Sequence, residues 1–399
     1  MRESIEQLCR IAQKPSRLII GLMSGTSLDG LDIALCRFTG SGPDSEVEIL
    51  AFETVAYEHD FKQEIRGIFS RRDADLEKVC LLNRWIAQQH AAMVLACLHK
   101  WKVSPGEIDL LASHGQSIYH APKILHKQEK FGNATLQIGD GDQLAVSTGI
   151  ITLSDFRQKH IAAGGEGAPL AVYGDYFIFS KAGEDRIMLN IGGIANFTWL
   201  PGSLDAGAVF STDTGPGNTL MDSYAQTYFG QAYDKNAAIA RSGNLDQALL
   251  DALCADDFFA RGFPKTTGPE LFNLAYIEKA KNKAGITDIA HEDVMTTLNS
   301  FSAVTIAAAI KRSTDKGKSF QVYTSGGGMH NPLLISHIQH LLPQHDFHTT
   351  HALQVNPDAK EALLFAVLAN ESVAGNNTLS PGNGSDVPGV SMGKLSFPE

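Results

Sequence analysis

The sequence lacks the short motifs that most often mark a phosphate or metal site. It contains no G-x-x-x-x-G-K-[ST], no G-x-G-x-x-G after a strand and no H-E-x-x-H. The motifs of a P-loop, a dinucleotide-binding fingerprint and a zincin helix are therefore absent. A site for an anionic ligand would have to be assembled from several separate turns.

Cysteine and positive charge are also scarce. The five cysteines are odd in number and widely spaced, so they indicate neither a disulfide framework nor a zinc site. A formal charge of −11 argues against a nucleic-acid backbone or an anionic membrane as the main partner. No apolar run approaches the roughly 20 residues of a membrane span, and the amphipathic first residues do not resemble a signal peptide. We expect a cytoplasmic protein with no nucleic acid or membrane partner.

The chain of 399 residues is long enough for two domains with separate cores. A glycine-rich stretch at 162–170, A-A-G-G-E-G-A-P-L, marks the expected hinge. We predict an N-terminal phosphate-hairpin domain, 1–158 plus 384–399. The C-terminal domain, 159–383, is expected to carry a second phosphate hairpin and a nucleoside-binding turn.

An apolar run, a turn dense in glycine and hydroxyl residues and a second apolar run follow one another at 17–38. This order predicts a β-hairpin with its tip at 24–30. Gly25 and Gly30 permit positive φ and close approach of a ligand, and the backbone N–H groups and hydroxyls of the tip suit phosphate oxygens. An ordinary hairpin turn is the alternative interpretation.

The strand–glycine turn–strand pattern recurs at 186–200, which suggests duplicated domains. A third glycine turn, 326–328, lies between a predicted strand and a helix, where a nucleotide can approach closely. Two hairpins from opposed domains can hold a nucleoside triphosphate, with the third turn at the nucleoside end. A plain loop between strand and helix is the alternative for the third turn.

Polar loops follow three strands predicted at 108–113, 135–138 and 150–153. The first loop carries His114 and the third carries Arg157. Loops at strand ends are where α/β folds place functional groups. A structural hydrogen-bonding role is the alternative for His114.

Asp213 is the best candidate for a catalytic base. It is predicted at a strand end, before the stiff turn Gly215-Pro216-Gly217. Phosphoryl transfer needs positioning, charge neutralisation and a base for the attacking nucleophile. Capping of the following helix is the alternative role for this carboxylate.

Several motifs together resemble the anhydro-N-acetylmuramic acid kinase family, a branch of the actin, hexokinase and Hsp70 ATPase superfamily. The resemblance extends over nearly the whole chain, from about 20 to 393. Its motifs are G-L-M-S-G-T-S-L-D-G-L-D, S-H-G-Q, D-F-R, A-A-G-G-E-G-A-P-L, L-N-I-G-G-I-A-N, D-T-G-P-G-N, F-P-K-T-T-G, S-G-G-G-x-x-N-P and D-A-K-E-A.

This resemblance implies an α/β protein with a two-domain actin-like (ribonuclease H-like) ATPase fold, in which duplicated mixed sheets surround a cleft. It implies a kinase that converts 1,6-anhydro-N-acetylmuramic acid, ATP and water into N-acetylmuramic acid 6-phosphate and ADP, with Mg²⁺, during peptidoglycan recycling. Asp213 would activate the water. The resemblance also implies a homodimer, which no apolar stripe in the sequence indicates independently.

The site residues expected from these motifs fall into three groups. Nucleotide contacts are expected from Ser24, Gly25, Thr26, Ser27, Leu28, Asp29, Gly30, Leu31, Asn190, Gly192, Gly193, Gly326 and Gly327. Sugar contacts are expected from His114, Gln116, Arg157, Gly165 and Glu361. Asp29 is also expected to contact Mg²⁺ through water.

Three positions depart from the usual patterns. Glu166 stands where the family usually has Gln, Pro269 where it has Arg, and Met23 where the wider superfamily commonly has Asp. A carboxylate at position 166 would either repel an acidic sugar or face solvent. A contact made by the usual Arg would be lost at Pro269.

Alternative functions within the superfamily are another sugar kinase, or an ATPase module of the actin or Hsp70 kind that acts on protein partners. A third alternative is sugar hydrolysis without ATP by paired carboxylates such as Asp213 and Glu361. Hydrolysis without ATP does not explain the hairpins that suit phosphate binding.

Overall fold

A computed structural model of the chain describes residues 2–25, 28–168, 170–313, 318–353, 355–376, 381 and 388–399. The chain divides into two compact units. Unit 1 comprises Met1–Lys181, Leu204–Val209 and Val355–Glu399, and unit 2 comprises Ala182–Ser203 and Phe210–Gln354. The predicted assignment of ligand-binding roles to 1–158 plus 384–399 and to 159–383 stays a prediction.

The strands and helices of the described residues are as follows. The strands are β1 Ser16–Ser24, β2 Gly30–Thr39, β3 Glu46–Ala56, β4 Leu110–Ala121, β5 Ala134–Ile138, β6 Thr152–Ser154, β7 Arg186–Ile191, β8 Ile194–Leu200, β9 Phe210–Pro216, β10 Gln321–Ser325, β11 Asp346–Thr349 and β12 Lys394–Ser396. The helices are α1 Glu3–Gln13, α2 His59–Arg66, α3 Leu76–Trp101, α4 Lys123–His126, α5 Gly141–Thr148, α6 Phe156–Ala162, α7 Ala171–Phe179, α8 Thr219–Phe229, α9 Gln247–Cys254, α10 Asp257–Ala260, α11 Leu274–Ala284, α12 His291–Ser313, α13 Pro332–Leu341 and α14 Lys360–Ala374.

Each unit is built on one mixed sheet, and the two sheets share an order. The sheet of unit 1 has seven described strands in the order β12-β6-β4-β1-β2-β3, with β5 beside β4, and that of unit 2 has the order β11-β10-β7-β8-β9. In each sheet, the first three strands along the chain pair antiparallel, each with the next. A later strand then pairs in parallel with the first of them, and another strand pairs in parallel with that one. This repetition confirms the predicted α/β class and the duplicated mixed sheets of an actin-like fold.

Two strands extend further than the sequence patterns predict. β4 was expected to end before His114 but continues to Ala121, because β5 pairs antiparallel with its second half and satisfies its backbone groups. β9 was expected to end at Asp213 but continues to Pro216 beside β8. The predicted loop around His114 is therefore wrong, and Asp213 lies within a strand.

One helix of the described chain, α12, is long and apolar enough to cross a membrane by length and composition alone. However, 83% of its apolar window is buried inside the structure. Its side chains belong to the core cluster of unit 2, with Phe301 and Ile306 fully covered. This is the environment of a central core helix.

Helix α14 packs directly on strand β1 of unit 1. A Cβ atom added to Gly21 would lie 1.9 Å from the carbonyl oxygen of Ala362 and 3.1 Å from the nitrogen of Ala366. Because the contact is with helix backbone, no side-chain rotation could relieve it. The glycine therefore sets the distance between the helix and the sheet.

Replacing Gly21 with alanine is expected to destabilise unit 1 by about 1–3 kcal/mol or more, since overpacking forces the backbone to shift. Thermal and urea unfolding would measure the loss. Gly132→Ala is the matched control, because nothing lies within 4 Å of its added Cβ. Equal stability of the two variants would contradict this account of the packing.

Candidate active site

The β1–β2 hairpin presents part of the predicted phosphate-binding stretch. Leu28 has a φ of 60° and a buried side chain, and its N–H donates to the Gly25 carbonyl at 3.3 Å. Asp29 is exposed at the tip. Thr26 and Ser27 lie outside the described residues. The buried Leu28 fixes the tip to the core and leaves the Asp29 carboxylate facing outward.

Packing explains the glycine at the start of β2. A Cβ on Gly30 would lie 2.5 Å from the Val55 carbonyl oxygen of the neighbouring strand. Leu31 is buried and pairs with Ser24 on one side and Val55 on the other. Packing within the sheet is enough to explain why these two positions carry glycine and leucine. Contacts of Gly30 and Leu31 with a nucleotide therefore stay a prediction.

Ser24 and Gln116 meet inside unit 1. The Ser24 hydroxyl donates to Gln116 Oε1 at 2.5 Å, and both side chains are buried. The amide nitrogen of Gln116 donates to the Gly25 carbonyl at 3.4 Å. A predicted nucleotide residue and a predicted sugar residue are thus joined by one hydrogen bond.

The buried His114 of β4 is hydrogen-bonded to the half-buried Arg157 of α6. Arg157 Nε donates to His114 Nε2 at 2.9 Å, and His114 Nδ1 donates to the Gly115 carbonyl at 2.9 Å. Burial, reinforced by the Arg157 guanidinium, lowers the pKa of His114 to about 3. The imidazole is therefore neutral at physiological pH, and it orients the arginine.

The glycine-rich loop after α6 is organised by a histidine that the sequence patterns did not single out. His160 Nδ1 accepts from the Gly167 N–H at 3.0 Å, and a Cβ on Gly165 would fall 2.1 Å from the His160 ring. Arg157 Nη1 donates to the Gly167 carbonyl at 2.6 Å. The only sequence hint to His160 is its place one turn after Arg157. Glu166, the departure from the family motif, is exposed.

Glu361 lies in the first turn of α14. The pKa of the Glu361 carboxyl is raised by desolvation and further by the Asp32 carboxylate, while Lys360 and Arg157 oppose the shift. Asp32 itself accepts from the Thr54 hydroxyl at 2.6 Å. Within unit 1 the structure therefore brings together Glu361 and Arg157, two of the predicted sugar residues.

Asp213 in unit 2 is held by backbone rather than by side chains. Its N–H donates to the Lys265 carbonyl at 2.9 Å, and its Oδ2 accepts from the Thr267 N–H at 2.8 Å. Burial raises the pKa of Asp213 to about 6, against the lowering effect of the Thr267 hydrogen bond and of Lys265. Asp213 does not cap α8, because that helix begins six residues later.

Lys265 lies in a pocket of aromatic rings behind Asp213. Its Nζ donates to the Phe258 carbonyl at 3.0 Å and lies 4.2 Å from the Phe258 ring centre and 5.3 Å from that of Phe263. Burial, helped by two arginines, lowers its pKa to about 8. The ammonium is held by cation–π contacts, and its main chain fixes Asp213.

The glycine turns of unit 2 converge at the end of β7. The N–H groups of Gly217 and Asn218 donate to the carbonyls of Gly193 and Gly192, both at 2.8 Å. A Cβ on Gly326, where φ is 81°, would lie 2.7 Å from Asn190 Oδ1. The structure therefore brings Asn190, Gly192, Gly193, Gly326 and Gly327 together, as the hypothesis of a nucleotide site requires.

A cavity of about 460 Å³ opens beside Gly327, and most of its lining was missed by sequence reasoning. Its size suits a small-molecule ligand. It is lined by Asn218, Met221, Asp222, Ala232, Tyr233, Asp234, Lys235, Asn236, Gly327, His330 and Asn331. Asn218 and Asn331 belong to motifs already noted, whereas the residues 232–236 carry no pattern that would have identified them.

Asp213→Asn is expected to stabilise unit 2 at pH 8 and to have almost no effect on stability near pH 4. The folded-state pKa lies above the ordinary value of 3.8, so the wild-type carboxylate opposes folding above pH 6 and ceases to do so as it is protonated. The difference should be on the order of 1–2 kcal/mol at a half-buried site. Thermal unfolding across this pH range, with the exposed Asp288→Asn as control, would measure it. A difference independent of pH would contradict the raised pKa.

The sequence matches the family model described as anhydro-N-acetylmuramic acid kinase over residues 17–395. It is 56% identical to the anhydro-N-acetylmuramic acid kinase of Pseudoalteromonas atlantica over the full length of both chains. It is 37% identical to that of Caldanaerobacter subterraneus subsp. tengcongensis, covering 98% of this chain and all of the relative.

Among solved structures, a hexokinase from Schistosoma mansoni complexed with glucose aligns at 10% identity and a TM-score of 0.35, covering 90% of this chain and 86% of that one. The activator of a 2-hydroxyisocaproyl-CoA dehydratase from Clostridium difficile aligns at 11% identity and a TM-score of 0.38, covering 89% and 95%. These TM-scores are too low to bear on chemistry. The sequence matches suffice: the chain belongs to the anhydro-N-acetylmuramic acid kinase family.

Proposed function

We propose that this protein is an ATP-dependent kinase that opens the 1,6-anhydro ring of 1,6-anhydro-N-acetylmuramic acid and phosphorylates O6 during peptidoglycan recycling. Full-length relatives that bear the name of this kinase support the activity. The structural observation that carries the chemistry is the Asp213 carboxylate, half-buried, held by the Thr267 N–H and with its pKa raised to about 6.

Asp213 acts as the general base. It takes a proton from water, whose oxygen bonds to the anomeric carbon of the sugar as the bond from that carbon to O6 breaks. O6 then attacks the γ-phosphorus of ATP, and ADP leaves. A base with a pKa of about 6 is ionised at neutral pH yet still basic enough to accept a proton, and such catalysis is worth roughly 10²–10⁴-fold.

The nucleotide is bound by the glycine turns. Gly192, Gly193 and Gly326 allow close approach of the phosphates, and the cavity beside Gly327 receives the nucleoside. Mg²⁺ bound to phosphates needs only one or two protein carboxylates, with water completing its shell. The exposed Asp29 at the hairpin tip fits that role, and the ion would neutralise charge on the phosphates.

The sugar is bound by residues of unit 1. Arg157 uses Nε and Nη1 in hydrogen bonds to His114 and Gly167, which leaves other guanidinium N–H groups for the substrate's carboxylate. Glu361 accepts from a sugar hydroxyl. Glu166, which stands where the family usually has Gln, is exposed, and this supports a carboxylate that faces solvent rather than one that repels the sugar. We also propose a cytoplasmic homodimer.

The activity is tested by incubating the protein with ATP, Mg²⁺ and 1,6-anhydro-N-acetylmuramic acid. Release of ADP and of a sugar 6-phosphate, each dependent on the sugar, supports the proposal. ATP hydrolysis that ignores the sugar, or ring opening without ATP, contradicts it and would favour an ATPase module or a hydrolase respectively.

Asp213→Asn is expected to retain ATP binding and to lose turnover by about 10²–10⁴-fold or more, because the general base is gone. In the wild type, turnover should fall as the pH drops below about 6, where Asp213 becomes protonated. Steady-state kinetics and calorimetric titration with a non-hydrolysable ATP analogue would measure both. Turnover of the variant near the wild-type value would remove Asp213 from the mechanism.

Gly327→Val is expected to raise the KM for ATP at least tenfold while leaving the KM for the sugar within about twofold, an apparent loss of about 1.4 kcal/mol of nucleotide binding. An added Cβ at this position has only Asn218 Nδ2 within 4 Å, at 3.7 Å, so the fold accepts it while the cavity narrows. An unchanged KM for ATP would show that the nucleoside binds elsewhere.

A further inference from the structure

A buried chain of hydrogen bonds lies behind the β1–β2 hairpin of unit 1. His90 Nε2 lies 2.9 Å from Tyr57 Oη, which lies 2.7 Å from Ser24 Oγ, which in turn lies 2.5 Å from Gln116 Oε1. Each of these four residues is at least 96% buried. Neither Tyr57 nor His90 belongs to any of the family motifs noted in the sequence.

The donor and acceptor roles along this chain of hydrogen bonds are fixed by Gln116, its last member. Gln116 Nε2 donates to the carbonyls of Gly25 and Ser117, at 3.4 and 3.2 Å, so Oε1 is the acceptor that faces Ser24. The single proton of the Ser24 hydroxyl is therefore used on Gln116. The Ser24 oxygen must accept from Tyr57, and Tyr57 must accept from a protonated His90 Nε2.

The second ring nitrogen of His90, Nδ1, is consistent with Nε2 as the hydrogen-bond donor. His90 Nδ1 is buried with no hydrogen-bond partner among the described residues, as expected for the unprotonated nitrogen of the Nε2–H tautomer. Complete burial lowers the pKa of His90 to about 3, so the ring is neutral. The hydrogen-bond geometry and the charge state select the same tautomer.

We propose that Tyr57 and His90 are positioning residues, which hold Ser24 and the Gln116 amide in place at the base of the hairpin through the Nε2–H tautomer of His90. The catalytic meaning of this inference rests on the proposed function. A Ser24 hydroxyl that donates to Gln116 has no second proton for a phosphate oxygen. Ser24 is then the link that fixes Gln116, and Gln116 in turn holds the Gly25 carbonyl at the hairpin tip.

A role in packing alone is the competing account, because the Tyr57 ring stacks on Phe61 at 4.0 Å between ring centres. Tyr57→Phe separates the two accounts, since it keeps the ring and removes only the hydroxyl. At His90, glutamine places an N–H donor near the position of Nε2, asparagine places one near Nδ1, and leucine has none. His90→Gln and His90→Leu have similar volumes, so the comparison between these two variants isolates the donor from the filling of the core.

Sugar-dependent ADP release of wild type and variants would test the proposal, with kcat and both KM values measured separately. We expect Tyr57→Phe, His90→Asn and His90→Leu to lose at least about tenfold in kcat/KM for the sugar, since each leaves a buried polar group without its partner. His90→Gln should recover most of what His90→Leu loses. Equal losses for His90→Gln and His90→Leu, or none for Tyr57→Phe, would overturn the proposal.

Tyr224→Phe is the matched control. The buried Tyr224 also forms a hydrogen bond through its Oη to a histidine, the exposed His291, at 2.8 Å from Nδ1, and it belongs to the core of unit 2 rather than to the hairpin of unit 1. It should lose stability comparably to Tyr57→Phe and keep its kcat/KM within about twofold. A loss of activity equal to that of Tyr57→Phe would mean that general destabilisation explains both.

A readout independent of activity separates this inference from the proposed function. In protein labelled with ¹⁵N-histidine, the His90 signals, assigned by their loss in His90→Gln, should show a protonated Nε2 and an unprotonated Nδ1. The opposite tautomer would overturn the inference even if the kinase is active. The expected tautomer in a protein without sugar-dependent ADP release would leave the chain of hydrogen bonds intact and refute only the proposed function.

Discussion

In both units, backbone packs against backbone at glycines, and the candidate site depends on those contacts. Gly21 lets α14 approach β1 so closely that a single added carbon would overlap the Ala362 carbonyl. In unit 2, Gly217 lies against the Gly192 carbonyl, with 2.3 Å to an added Cβ, and Gly326 lies against the end of β7. Turns joined in this way leave little room to relax, which favours a preorganised site for a charged ligand.

Desolvation decides the charge state of the side chains around these turns. His90, His114 and His160 are all buried, and each pKa is lowered far enough for the ring to be neutral at physiological pH. A neutral ring has one donor and one acceptor, so it can give a direction to a hydrogen-bond chain, whereas an imidazolium has two donors. These histidines therefore act as oriented connectors in unit 1, whereas in unit 2 burial raises the pKa of Asp213, the proposed general base.

The differences between the predicted and observed elements have a common cause. His114 and Gln116 look like loop residues because they are polar and flank a glycine, yet β5 supplies a strand partner and their side chains find buried hydrogen bonds. Asp213 looks like the end of a strand because Gly215 and Pro216 follow it, yet β8 continues alongside. Local composition predicts polarity, but the availability of a strand partner far along the chain determines where a strand ends.

The sequence by itself determined the α/β class, the duplicated pattern of strand, glycine turn and strand, and the family, and it is also the source of the proposal that Asp213 is the base. These features depend on local periodicity, on turn residues and on short motifs, all of which are formed by residues close together in the sequence. Only the tertiary structure decided that Thr267 and Lys265 hold Asp213, that residues 232–236 line a cavity, and that Tyr57 and His90 lie behind Ser24. Those hydrogen bonds join residues that are 33 to 54 positions apart, and neither spacing nor composition encodes which distant donor meets which acceptor.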